Sequence, residues 1–74
     1  MDRHYLMLKN YQQAIRDFDR AMELNPQDSG AYYYRGLSFE RLGNHQQAVI
    51  DFINAARLGN KNAQDFLSSE GIVR

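Results

Sequence analysis

The chain has no cysteine and no tryptophan, a single proline and two histidines, and its nine basic side chains balance nine acidic ones over 74 residues. Each shortage removes a class of function. Without cysteine there is no disulfide to staple a small core and no thiolate to hold a metal. The missing thiols agree with a reducing compartment. A neutral chain gives no electrostatic reason to seek nucleic acid, an anionic membrane or an acidic substrate. No apolar run approaches the roughly 20 residues that a membrane span needs. The opening MDRHYLMLKNYQQ has no long apolar core before a small-residue cleavage site, so it does not read as a signal peptide. Position 2 is Asp, not the Gly of a myristoylation signal. The expectation is a cytoplasmic, soluble domain with no membrane and no nucleic-acid partner.

Catalytic groups are equally sparse. His4 and His45 are far apart in sequence and do not form the i,i+4 pair of a helical zinc site. Ser68 and Ser69 have no histidine near them in sequence. The glycines are dispersed at Gly30, Gly36, Gly43, Gly59 and Gly71, so there is no phosphate-binding loop. Asp17 and Asp51 occupy equivalent places in separate repeats and are expected on an outer helix, not as a catalytic pair. The reading is a non-enzymatic chain without cofactor or metal.

What the chain does have is a repeat. QQAIRDFDRAMEL at 12–24 returns as QQAVIDFINAARL at 46–58, an offset of 34. Identical pairs include Leu8/Leu42, Asn10/Asn44, Ala14/Ala48, Phe18/Phe52, Ala21/Ala55 and Leu24/Leu58. They are mostly small or apolar, and their spacing of three and four marks one stripe of a helix. A period of this size means stacked units, none able to bury its apolar face alone. Each unit reads as two helices.

The periodicity predicts a short helix within residues 2–9, then a helix from about Tyr11 to Leu24. Asn10 and Gln13 should cap the latter, as Asn44 and Gln47 cap its counterpart. The stop is expected at Asn25, in a left-handed turn, and Pro26. A complete first helix follows over about Gly30 to Leu42, then the Gly43–Asn44 turn. A terminal helix is expected from Asn62, capped with Asp65, with Phe66 and Leu67 on the preceding unit and Gly71 at its end. Gly36 in mid-helix loses about 1 kcal/mol of propensity, which close approach of a neighbouring helix would offset. In the YYY run at 32–34, Tyr32 is the ring assigned to the core. Arg16, Asp19, Arg20 and Glu23 read as paired charges on a solvated face.

These motifs resemble the tetratricopeptide repeat family. The second unit has Tyr32, Arg35–Gly36 where Leu-Gly is usual, then Phe39, Ala48, Phe52 and Ala55, with Asn60 in the proline position. The first has Tyr5, Ala14, Phe18, Ala21 and Pro26, with Asp2 in place of the glycine. The resemblance implies an all-α fold of helix-turn-helix repeats stacked as a short superhelix. It divides one domain, 1–74, into a truncated repeat (1–28), a full repeat (29–62) and a capping helix (63–74). It also implies a protein interaction module that binds a peptide or protein segment on a concave face lined by first helices. By alignment that face is supplied by Arg3, Leu6, Met7, Tyr33, Tyr34, Leu37, Glu40 and Arg41. The asparagines of the carboxylate clamp found in some members are missing from these positions. RNA-binding helical repeats would need basic residues along the groove, which is not the pattern here. Solenoids usually need three or more units, and this chain has fewer than two. Either the chain is a piece of a longer repeat protein, or it is a structural, self-associating homodimer that completes its stack with a second chain.

Overall fold

The computed structural model describes residues 3–69 and Gly71, with side chains from Asn10 onward. It contains four helices: α1 (Arg3–Leu24), α2 (Ser29–Arg41), α3 (His45–Arg57) and α4 (Lys61–Ser69). No strand occurs among the described residues. The all-α helical repeat is as expected. α2 packs on both α1 and α3, and α4 packs on α3.

Two of the three turns are built alike. After α2, the Gly43 N–H donates to Glu40 O at 3.0 Å and the Asn44 N–H to Phe39 O at 2.9 Å. After α3, Gly59 donates to Ala56 O at 3.0 Å and Asn60 to Ala55 O at 2.9 Å. Both are Schellman closures around a left-handed glycine, with φ +85° at Gly43 and +99° at Gly59. Each asparagine then caps the next helix: Asn44 Oδ1 accepts from Gln47 N at 3.3 Å and Asn60 Oδ1 from Ala63 N at 2.8 Å. The cap of α4 is thus Asn60 and not Asn62, which is exposed one residue inside the helix. Gly71 lies just beyond α4, with φ +71°, as expected of its stop. The α1–α2 turn differs from expectation. Asn25 is not left-handed, since the described positive-φ residues are all glycines. Its side chain instead accepts from Gln27 N at 3.2 Å, and Asp28 caps α2 through Ala31 N, the Asx-type alternative.

The largest departure is α1. The expected short helix and its capped successor are one continuous helix of 22 residues. Asn10 lies in its interior and caps nothing. Leu8-Lys9-Asn10 has lysine where Leu42-Gly43-Asn44 and Leu58-Gly59-Asn60 have glycine. A left-handed lysine costs roughly 1–2 kcal/mol, so the chain continues as helix.

The core sits in the second unit. Ala48, Phe52 and Leu67 form it, with Tyr33, Leu37, Phe39, Ile53, Ala56 and Phe66 packed around them. Gly36 is required here: a Cβ would stand 2.9 Å from the Phe52 ring. Phe66 and Leu67 face α3 as expected, the Phe66 ring 4.3 Å from that of Phe52. The tyrosine that reaches the core is Tyr33, 5.7 Å from Phe52, and not Tyr32. Tyr32 is half-buried beside the Arg35 guanidinium. Leu24 lies 83% exposed and is not on the buried stripe.

Candidate functional site

A buried ion pair ties α2 to α3, and an exposed arm of the same guanidinium reaches α1. Asp51, on the helix expected to be the outer one of its repeat, is fully buried. Arg35 donates to it twice, from Nε at 2.8 Å and from Nη2 at 2.7 Å. Its Nη1 donates to Asp19 Oδ1 at 2.7 Å. Asp19 therefore pairs across helices with Arg35, and not with Arg16 along its own. Hydrogen bonding to Asp51, working against desolvation, raises Arg35 above the ordinary arginine range. A raised pKa means that the stabilising charge is present at every pH below that range. The guanidinium is a fixed cation at neutral pH. The sequence equivalent of Asp51, Asp17, is exposed and, among the described side chains, accepts from Gln13 Nε2 at 3.3 Å.

A groove of about 430 Å³ lies between α1 and α2. Its α1 wall is Asn10, Tyr11, Ala14 and Phe18, and its α2 wall is Tyr34, Leu37, Ser38 and Arg41. Phe18 and Tyr34 stack at 6.1 Å across its floor. Ser38 Oγ donates to Tyr34 O at 3.1 Å, so this hydroxyl is satisfied within α2. The wall is mostly apolar with Arg41 at one edge, which suits an amphipathic segment of protein.

Of the expected binding residues, Tyr34, Leu37 and Arg41 come together in this groove. Tyr34 is 52% exposed. Tyr33 is half-buried against Phe52 and makes an edge-on contact with Tyr34 at 5.2 Å. Glu40 is exposed and stands 3.3 Å from His45 Nδ1 across the turn. The side chains of Arg3, Leu6 and Met7 lie outside the described ones. The alignment of first helices missed the α1 wall entirely. Its signal was the repeat itself, because Ala14 and Phe18 return as the core residues Ala48 and Phe52.

A second depression of about 520 Å³ lies between α3 and α4, lined by Ile53, Ala56, Arg57, Gln64, Leu67 and Ser68. Among the described residues no cluster of His, Asp or Glu is placed to hold a metal, and no helix is long and apolar enough to cross a membrane. No solved structure matches the chain. The tetratricopeptide repeat profile matches residues 3–63. That span covers both repeat windows, both glycine turns and the Arg35–Asp51 lock. The chain belongs to the tetratricopeptide repeat family.

Proposed function

We propose that the chain is a protein-binding module whose seat is the groove between α1 and α2. Repeats of this family mediate protein–protein contacts. The observation that supports this seat is its apolar lining, Ala14, Phe18, Tyr34 and Leu37, left open between α1 and α2. The expected occupant is a helical segment with an apolar stripe, and Arg41 offers an edge contact for a carboxylate. Binding would bury the exposed tyrosine, a residue type enriched at interface hot spots.

Helical peptides selected from a phage-displayed library against the chain test this reading. Peptides seated in the groove should lose at least tenfold in affinity on Ala14→Arg, with helix content by circular dichroism unchanged. Peptides that bind the variant as well as the parent would place binding elsewhere.

A further inference from the structure

The repeat register states what the α1–α2 groove is shaped to hold. Ala14 and Phe18 are half-buried, while their equivalents Ala48 and Phe52 are 0% exposed. In the second unit α2 lies along α3, with Gly36 against the Phe52 ring and Tyr33 and Leu37 beside it. Among the described side chains the first unit has no such cover. Shifting the last turns of α2, Leu37–Leu42, back by 34 positions gives Arg3–Leu8. Those residues do not return to their own seat. They run on as the first part of α1, because Lys9 stands where the other two turns have a left-handed glycine.

We propose that residues 3–8 of one copy fill the α1–α2 groove of a second copy, and the reverse, giving a domain-swapped homodimer. This rests on the groove being a seat for a helical protein segment, and it names that segment. The sequence RHYLML supplies four consecutive apolar residues for an apolar seat. The reach also agrees. Helix over residues 3–9 spans about 10 Å, and the α1 wall from Asn10 to Phe18 about 12 Å, at 1.5 Å per residue. The two α1 helices would run antiparallel and cross near Lys9–Asn10, on the two-fold axis of an isologous interface. Every residue needed for the exchange is present twice, so the interface closes on itself and does not propagate.

Sedimentation equilibrium of the 74-residue chain over micromolar to millimolar concentration tests the exchange. The expected mass is twice 8.6 kDa, dissociating on dilution. Lys9→Gly writes the third Leu-Gly-Asn turn and lets the segment fold back. It should sediment at 8.6 kDa with undiminished helix signal. Ala14→Arg obstructs the seat without breaking the helix, and it too should give the monomer. If Lys9→Gly proves unfolded by circular dichroism, Ala14→Arg decides. A parent chain that is monomeric throughout overturns the proposal, as does a dimer that survives folded Ala14→Arg. A monomer that still captures helical peptides in the groove sinks the exchange alone. A monomer whose captured peptides ignore Ala14→Arg sinks the groove reading with it.

Discussion

At the scale of single residues, Asp51 is the most exacting position in the chain. It is a fully buried carboxylate, and a buried charge is tolerated only when paired and hydrogen-bonded. Arg35 supplies both bonds in a fork that matches the carboxylate. Removing Asp51 leaves a guanidinium only one-fifth exposed, with a single remaining bond to Asp19. Breaking a buried pair from one side costs about 3–5 kcal/mol. Because Arg35 retains some water and Asp19, Asp51→Ala is expected near about 3 kcal/mol. Asp19 is about half exposed, so Asp19→Ala should cost less than about 1 kcal/mol. Urea denaturation monitored by helix signal measures both, and similar losses for the two would refute the ranking. This lock was not legible in the sequence. Asp17 and Asp51 look equivalent there, but the counterpart of Arg35 one repeat earlier is Met1. A carboxylate without a guanidinium partner stays in solvent, and that depends on a residue 16 or more positions away.

Elements are governed by their ends. α3 and α4 begin at asparagines that also complete the preceding glycine closure. One residue thus stops one helix with its backbone N–H and starts the next with its side-chain oxygen. α4 has nine residues, fewer than the roughly 12–15 at which an isolated helix becomes even marginal. It persists because Phe66 and Leu67 dock on the core. Losing an asparagine cap typically costs about 1 kcal/mol. Asn60→Ala should therefore speed amide hydrogen exchange throughout α4 while α2 and α3 stay protected. Asn62→Ala, on an exposed helical position, should leave the pattern unchanged. The reverse result would return the cap to Asn62. Helix type was readable from periodicity, and the glycine turns from the Gly-Asn pairs. The α1 fusion is hidden in the sequence because the identities Leu8/Leu42 and Asn10/Asn44 flank the one difference that decides it, Lys9 for Gly43. One backbone-conformational preference outweighed two identities. The groove shared that fate: its α2 wall followed from alignment, whereas its α1 wall needed the burial of Ala48 and Phe52 as a reference.

The whole molecule is asymmetric although its repeat is not. Its radius of gyration is 12.6 Å, above the about 11 Å expected of a compact chain this long, and its extents are 41 × 30 × 16 Å. The fully buried apolar side chains of its core cluster belong to α3 and α4; α1 contributes a half-covered stripe. Two phenylalanines one repeat apart should therefore respond differently to the same truncation. Phe52→Ala removes a fully buried ring at about 3–5 kcal/mol, comparable with the total stability of so small a core. It should abolish cooperative melting at every concentration. Phe18 is half-buried and stacked on Tyr34, so within one copy its truncation removes less. In the exchanged dimer the same ring lies under the partner's helix. Association that favours the folded state makes the melting midpoint climb with protein concentration. The parent chain should show that climb, and Phe18→Ala should flatten it while still melting cooperatively. Thermal scans over a hundredfold range of concentration distinguish the cases. A midpoint that climbs equally in the parent and in Phe18→Ala would mean that the copies meet on another face, the α3–α4 depression being the next apolar surface in line. A flat midpoint in the parent would mean that the open stripe on α1 belongs to a different protein.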